Sequence, residues 1–340
     1  MMRVSQPSFT QSSPRTTVKP ALLLALAGLL TATTARAANP IITDAFTADP
    51  APLVVGDTVY LYAGQDEAAN ERDGYVMNRW LCYSSKDLVE WKAHGSPLKP
   101  TDFAWSSGQA WASQVIERGG KFYFYAAVQH AALRSKAIGV AVSDSPTGPF
   151  VDARGSALVT NDMTTATKIS YDDIDPTVWI EDNGQAWLFW GNQKCYYAKL
   201  KANMTELDGE IRVIPDAQVP RYTEAPWIHK RGNLYYLSYA SGFPEKLSYS
   251  TATSLAGPWT PHGLLSEGPF NSTTIHQGII SFKGRHWLFY HNGAIQHDTR
   301  LRAGGGNRRS VCIDELFYNP DGTIRRVVQT SEGVGRVAAT

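Results

Sequence analysis

The chain has 340 residues, of which 43% are hydrophobic and 11% aromatic, and this composition excludes an intrinsically disordered protein. Four of the 32 Lys and Arg residues and none of the 31 Asp and Glu residues lie in positions 1–37, so the formal charge changes from +1 to −3 without that segment. A chain with no excess of basic residues is not suited to a polyphosphate partner. We therefore expect no nucleic-acid partner and a neutral or nearly neutral ligand.

The N-terminal segment has the features of a signal peptide. Arg3, Arg15 and Lys19 precede an apolar run at residues 21–30, and Ala35-Arg36-Ala37 offers a small-x-small cleavage site. A membrane anchor is the alternative, but it needs about 20 apolar residues. We expect residues 1–37 to be removed on export to the periplasm or the exterior. Residues 38–340 would then form a single domain with no membrane partner.

The three cysteines, Cys82, Cys195 and Cys312, are far apart and odd in number. This pattern argues against a disulfide framework and against a cysteine metal site, which uses pairs two to four residues apart. We expect buried, unreactive thiols.

One unit recurs five times along the rest of the chain. An apolar strand, a short glycine turn and an aromatic strand occupy residues 52–62, 114–125, 177–189, 227–237 and 279–290. The turn glycines lie 64, 64, 48 and 52 residues apart, which is close to the spacing of propeller blades. Further strand pairs at 81–91, 138–150 and 247–259 complete four-stranded units. The sequence predicts an all-β, five-bladed β-propeller. A β-sandwich is the alternative, but it would leave the five copies of one unit unexplained.

The propeller would bring together polar residues that are distant in sequence. The first strand of each blade lines the central channel, so residues just ahead of these strands converge at one mouth. Asp49, Asp175, Glu224 and His276 lie seven, nine, eight and eight residues before their turn glycines. The second repeat has Trp111 near this position and no acid.

Three converging carboxylates indicate catalysis. An Asp before Pro can simply serve a turn, but like charges at short range cost free energy and raise at least one pKa. Glycoside hydrolysis uses such a set, because one protonated carboxyl protonates the leaving oxygen while an ionised one activates water. In the inverting reaction the two lie about 6.5–9.5 Å apart.

Five motifs carry a family resemblance. They are Phe46-Thr-Ala-Asp-Pro50, Asp173-Ile-Asp-Pro-Thr177, Tyr222-Thr-Glu-Ala-Pro226, Gly304-Gly-Gly-Asn-Arg-Arg-Ser-Val311 and Tyr318-Asn-Pro-Asp-Gly-Thr-Ile324. Together they resemble glycoside hydrolase family 43, five-bladed propeller enzymes that act on arabinose- and xylose-containing polysaccharides. The resemblance covers about residues 39–335.

The resemblance implies roles for the three acids. Asp49 matches the general base and Glu224 the general acid. Asp175 matches the third acid, which orients the general acid and keeps its pKa high.

The resemblance also implies binding residues. His276 matches a channel histidine that in relatives faces a calcium or other ion through water, although a single imidazole is weak evidence for an oxygen-preferring cation. No cofactor is required for the chemistry. Arg308 or Arg309 matches the arginine that reaches the sugar hydroxyls, and only one of two adjacent strand residues should face the site.

Phe46, Trp111 and Trp227 are candidates for a sugar-stacking floor, with packing between blades as the alternative. Two positions depart from the common family pattern, namely Ser113 after the second-blade Trp-Ala and Gln277 after His276. These departures leave the detailed subsite preference open.

The resemblance therefore implies an inverting exo-glycosidase that releases terminal α-L-arabinofuranose, the preferred expectation, or β-D-xylose from plant hemicellulose or its oligosaccharides. An endo-1,5-α-L-arabinanase and a non-catalytic carbohydrate-binding propeller remain alternatives. The long connections 66–80, 98–109 and 153–173 are the expected pocket walls. A retaining invertase-like enzyme would need Asn-Asp-Pro-Asn, Arg-Asp-Pro and Glu-Cys motifs, and the sequence has none of them.

Overall fold

The computed structural model describes residues 1, 2, 5, 8, 36–295 and 303–338. Thr34–Thr340 packs as one unit, and Met1–Thr33 is a separate one. The predicted signal peptide lies outside the described residues apart from residues 1, 2, 5, 8, 36 and 37. In the described part of the chain, no helix has the length and apolar character needed to cross a membrane.

Five antiparallel sheets follow one another along the chain and form the predicted five-bladed propeller. The first blade comprises Thr47–Val55, Thr58–Gln65, Trp80–Ser85 and Lys92–Gly95. The second comprises Ser106–Gly108, Ser113–Arg118, Lys121–His130, Lys136–Ser143, Val151–Asp152 and Val159–Thr160. The third comprises Thr177–Ile180, Ala186–Trp190, Tyr196–Leu200 and Leu207–Val213. The fourth comprises Tyr222–Arg231, Leu234–Ser241, Lys246–Ala252 and Thr260–Ser266, and the fifth comprises Gln277–Phe282, Arg285–Asn292 and Ser310–Leu316.

The remaining elements are short. Arg36–Ala37 pairs with Val334–Gly335, and single 3-10 turns occur at Glu71–Asp73, Pro100–Asp102 and Asp216–Gln218.

The second strand of each blade, which in blade two is Lys121–His130 after the short Ser106–Gly108, is largely buried on both faces because neighbouring blades cover it. Ala186–Trp190 is wholly buried, and its five residues are all apolar. Strands covered on both sides lose the alternation of apolar and polar residues, and this explains the continuous aromatic runs in the repeats. The core is accordingly divided into apolar clusters that lie between blades.

The segment that precedes the first blade, together with the first residue of that blade, closes the ring. The backbone N–H groups of Thr47 and Ile41 donate to the carbonyls of Arg309 and Val311, both at 2.9 Å. The Asn39 side chain both accepts from Ile313 N, at 2.8 Å, and donates to its carbonyl, at 3.0 Å. The start of the domain thus lies along the outer edge of the three-stranded fifth blade and takes the place of a fourth strand.

The first strands of blades one and four are irregular where their acids lie. The pairing register breaks between Ala48 and Ala51 and again around Glu224, and Asp49 and Ala225 have φ values of 54° and 56°. Such bulges bend a strand and re-aim its side chains. Asp49 and Glu224 therefore lie inside strands, at bulges, and not ahead of the strands as the sequence suggested.

Native thiols should be inert. Cys82, Cys195 and Cys312 are free and buried, and burial raises the pKa of Cys82 and Cys195 to about 12. Because the thiolate is the reactive form, a disulfide reagent should label none of the three in native protein and all three after denaturation in guanidinium. Rapid labelling of the native protein would contradict the burial described here.

Candidate active site

One cavity of about 370 Å³ lies at the channel mouth. Six of the residues singled out from the sequence line it, and they come from all five blades or the segments that lead into them: Asp49, Trp111, Asp175, Glu224, His276 and Arg309. The predicted convergence of the three acids on one opening is therefore what the structure contains.

Arg309 is the inward-facing member of the arginine pair, and two acids hold it. Its Nε and Nη2 donate to the two carboxylate oxygens of Asp66, at 2.9 and 3.0 Å, and its Nη1 donates to Asp49 Oδ1 at 3.0 Å. Asp66 also accepts the backbone N–H of Arg309 at 2.8 Å. The planar guanidinium matches two carboxylates at once, so its position is well defined.

The surroundings of Asp49 favour its ionised form. Burial by itself would raise the pKa of Asp49, but the Arg309 guanidinium holds that pKa well below the usual range. His291 Nδ1 accepts the backbone N–H of Asp49 at 3.1 Å, and His291 Nε2 lies 3.0 Å from the Thr274 carbonyl. In these contacts Nδ1 is the acceptor and Nε2 the donor, an assignment based on hydrogen-bond geometry.

The surroundings of Asp175 and Glu224 favour the protonated form. Burial and then the charge of Asp49 raise the pKa of Glu224, and burial with the charges of Glu224 and Asp49 raises that of Asp175 well above its usual value. Asn192 Nδ2 donates to Glu224 Oε2 at 2.6 Å. Asp175 Oδ2 accepts the N–H of Ala225 at 2.9 Å, which fixes the backbone beside Glu224.

His276 lies between two of the acids. Its Nδ1 is 3.9 Å from both Asp49 Oδ1 and Asp175 Oδ2, so these two oxygens are separated by at most the sum of those distances. Burial lowers the pKa of His276 to about 4, and its imidazole is therefore neutral near pH 7.

The side chains near His276 do not form a calcium cage. Calcium takes six to eight oxygen ligands. Across residues 36–295 and 303–338, no three His, Cys, Asp or Glu side chains are grouped so that they could hold a metal ion. The residues present do not fit a directly coordinated calcium, and the predicted ion beside His276 stays a prediction.

Trp111 is the predicted stacking residue that lines the cavity. A buried lysine, Lys136, places its Nζ 3.3 Å from the ring centroid and donates to Gln109 Oε1. Burial lowers the pKa of Lys136 to about 7. The ring of Tyr75 meets Trp111 edge-on with centroids 6.0 Å apart, so the Trp111 indole is held in place by both neighbours.

Three predicted binding residues lie elsewhere. Trp227 is 4% exposed in the core, and its Nε1 donates to the Ile279 carbonyl at 3.0 Å, so it packs between blades. Phe46, directly ahead of the first strand of blade one, is buried in the core and does not belong to the cavity lining. Arg308 points away and lies 3.3 Å from Glu71 through Nη2. The stacking predicted for Phe46 and Trp227, and the sugar contact predicted for Arg308, are corrected accordingly.

The expected pocket walls are present in part. The connection 66–80 contributes Tyr75 and Met77, and 153–173 contributes Tyr171. The connection 98–109 contributes none of the described lining residues. Phe243 supplies a further wall from the fourth blade.

Several site residues were missed, and most share one signal. Asp66, Asn192, Glu245 and His291 lie at or shortly after the end of the second strand of a blade. Glu245 lines the cavity and is 2% exposed. Looking for polar residues at that position of each repeat, and not only ahead of the first strand, would have found them.

Comparisons with known proteins agree with this geometry. The sequence profile of glycosyl hydrolases family 43 matches residues 37–324. A xylosidase/arabinosidase 43A of Humicola insolens is 33% identical, with 84% of this chain and 98% of that protein covered. A xylosidase/arabinosidase of Bacteroides ovatus is 32% identical, with 82% and 94% covered.

A solved structure is similar in fold as well. It is a β-xylosidase/α-arabinofuranosidase from a compost microbial metagenome, described as a complex with xylotriose in a calcium-free form. Its TM-score is 0.75 at 26% identity, and the match covers 86% of this chain and 97% of that one.

Removing the carboxylate of Asp66 should destabilise the protein. Asp66→Ala leaves the buried Arg309 without its bidentate partner, and breaking a buried pair from one side costs about 3 kcal/mol or more. Denaturant unfolding measures this loss. The control is Asp144→Ala, which removes the partner of Lys121 in an exposed pair and should cost less than about 1 kcal/mol. Equal losses for both variants would contradict this account of Arg309.

Proposed function

The chain belongs to glycosyl hydrolases family 43, and from this premise we propose that it is an inverting, exo-acting glycosidase that releases a terminal α-L-arabinofuranosyl or β-D-xylosyl unit. One observation carries the proposal. A single cavity holds Asp49, whose pKa is lowered, and Glu224, whose pKa is raised. Inverting hydrolysis of a glycosidic bond requires one ionised carboxylate as the base and one protonated carboxyl group as the acid, and these two pKa shifts favour those two forms.

The reaction then follows from the two protonation states. Ionised Asp49 takes a proton from a water molecule, whose oxygen attacks the anomeric carbon on the face opposite the leaving group. Glu224 gives its proton to the glycosidic oxygen as the bond to that carbon breaks. One water is consumed, the sugar leaves with inverted configuration, and no step passes through a metal ion.

The neighbouring groups support these two roles. Arg309 keeps Asp49 ionised and also fixes its position, through the bond of 3.0 Å to Oδ1. Asp175 holds the backbone next to Glu224 through Ala225 N. Asn192 fixes one carboxyl oxygen of Glu224, which leaves the other free to face a substrate or a neighbouring residue.

The size and lining of the cavity support a small neutral sugar. About 370 Å³ is at the small end of ligand pockets, and Trp111 and Tyr75 offer aromatic faces for a sugar ring. The relatives named above act on xylosides and arabinosides, and one binds xylotriose. We propose arabinose- or xylose-containing oligosaccharides of plant hemicellulose as substrates. An endo-acting arabinanase would need a groove open at both ends.

Export is part of the proposal and rests on the sequence of residues 1–37 alone. The test is N-terminal sequencing of the protein recovered from outside the cytoplasm, which should begin at residue 38. A chain that keeps its N-terminus and stays in the cytoplasm would contradict export.

Replacing Glu224 should strongly slow turnover where the leaving group needs a proton. General acid catalysis contributes roughly 10²–10⁴-fold, so Glu224→Gln should lower kcat on xylobiose or an arabino-oligosaccharide by that factor. The loss should be much smaller on a dinitrophenyl glycoside, whose leaving group needs no proton. Steady-state rates on both substrates measure the difference.

The control for this substitution is Glu210→Gln, which alters an exposed side chain on an outer strand and should leave both rates unchanged. A Glu224→Gln rate close to that of the parent would remove the catalytic proposal and leave a sugar-binding propeller. Proton NMR of the first product anomer tests inversion separately, because a retained anomer would contradict the roles given to Asp49 and Glu224.

The pH dependence of kcat/KM should reflect the two shifted pKa values. Its acid limb, set by Asp49, should lie below the ordinary aspartate value of about 3.9, and its basic limb, set by Glu224, above the ordinary glutamate value of about 4.3. Arg309→Gln removes the cation that lowers the pKa of Asp49, so the acid limb should move to higher pH.

Arg308→Gln is the matched control, since the Arg308 guanidinium faces Glu71 and not Asp49. Its acid limb should stay where the parent has it, with unfolding monitored at each pH to exclude denaturation. An unchanged acid limb in Arg309→Gln would show that Asp49 is not the group that titrates there.

A further inference from the structure

Glu245 is a buried acid in the cavity to which the reaction described so far gives no role. It follows the second strand of blade four, is 2% exposed and lines the same cavity as Glu224. A fully buried carboxyl group needs hydrogen bonds or a cation to offset the cost of leaving water. Its partners therefore indicate what it does.

The backbone around Glu245 holds it rigidly. Its Oε2 accepts the N–H of Ile275 at 2.8 Å, and its own N–H donates to the Thr273 carbonyl at 2.9 Å. Both contacts join blade four to the segment that leads into His276. The side chain consequently has little freedom to turn away from the cavity.

Its second contact is the general acid of the proposed reaction. The carboxyl groups of Glu245 and Glu224 are within hydrogen-bonding reach of each other. Asn192 donates to Oε2 of Glu224, and the N–H of Ile275 donates to Oε2 of Glu245. An ionised carboxylate has no donor, so a hydrogen bond between the two acids requires a proton on one of them. Two carboxylates in such contact cannot both be charged.

The distribution of charge indicates which acid keeps the proton. The other charged and titratable groups that line the cavity are Asp49, Tyr75, Tyr171, Asp175, His276 and Arg309, and the charge of Glu224 also acts on Tyr222. Arg309 acts on Glu224, whereas no Lys, Arg or His side chain in the described part of the chain forms an ion pair with Glu245. Burial and the charge of Glu224 raise the pKa of Glu245 to about 10, so a buried Glu245 without a cation partner keeps its proton near pH 7.

We propose that Glu245 is a positioning residue that stays a neutral carboxylic acid and donates a hydrogen bond to Glu224, which stabilises the carboxylate formed when Glu224 gives its proton to the glycosidic oxygen. The proton on Glu245 is not consumed, since it only moves closer to the new charge. This inference rests on the proposed function, because it assigns Glu245 its role through Glu224. It explains how a general acid surrounded by other acids can still release its proton.

Two variants test the proposal. Glu245→Met fills a similar volume but has no donor, so the carboxylate of Glu224 loses its hydrogen bond and the pKa of Glu224 rises. The basic limb of kcat/KM should then move to higher pH by about one to two units, and kcat on a substrate with a poor leaving group should fall. Glu245→Gln keeps a donor and should leave the basic limb near that of the parent. Glu267→Gln, an exposed acid paired with Lys246, is the control and should change nothing.

Several results would overturn the proposal. A basic limb that moves to lower pH in Glu245→Gln would mean that Glu245 is charged in the parent. An unmoved basic limb in Glu245→Met, with activity lost equally on poor and activated leaving groups, would reduce Glu245 to a structural residue.

A measurement without turnover covers the case in which Glu245→Met fails to fold. Infrared difference spectra of the parent against Glu245→Gln near pH 7 should show one protonated carboxyl group lost, and the absence of that difference would refute the neutral Glu245. If the parent hydrolyses neither an arabinofuranoside nor a xyloside, the proposed function fails, and the infrared result alone decides the protonation of Glu245.

Discussion

The site depends on one buried cation placed among several buried acids. Asp49, Asp175, Glu224 and Glu245 line the cavity, and Arg309 is the only Lys or Arg among the described residues that do so. The guanidinium bonds to Asp49, with Asp66 behind it, and leaves the other acids without a cation in contact. This unequal sharing separates the acids into one that is ionised and others that hold protons, and the proposed chemistry needs that separation.

The propeller brings the acids to one opening, and the bulges orient their side chains. Five blades around a channel bring the first strands together, so Asp49, Asp175 and Glu224, which are 49 to 175 residues apart in sequence, face one opening. Regular strands would place the side chains of Asp49 and Glu224 by simple alternation. The register breaks at both positions, with positive φ at Asp49 and at Ala225, turn them toward the cavity instead.

The sequence predicted the parts of the molecule that repeat. The strand, glycine turn and aromatic strand determine the blade, and five copies determine the ring, so the fold and the meeting of Asp49, Asp175 and Glu224 followed. Side-chain direction did not follow, because it depends on bulges and on the burial of both strand faces. Trp227 and Phe46 look like binding residues in a motif and are core residues in the fold. Glu245 and Asp66 were missed because they follow the second strand of a blade, whereas candidates were sought only ahead of the first strand.

The central claim is that the cavity holds an ionised Asp49 opposite a protonated Glu224. Neutron diffraction from deuterium-exchanged crystals at the pH of maximal activity observes those protons directly. The account predicts a deuteron on the Glu224 carboxyl group and none on Asp49. Asp49 should instead accept a hydrogen bond from a deuterated nitrogen of Arg309. A deuteron bound to Asp49 together with a bare Glu224 would contradict it.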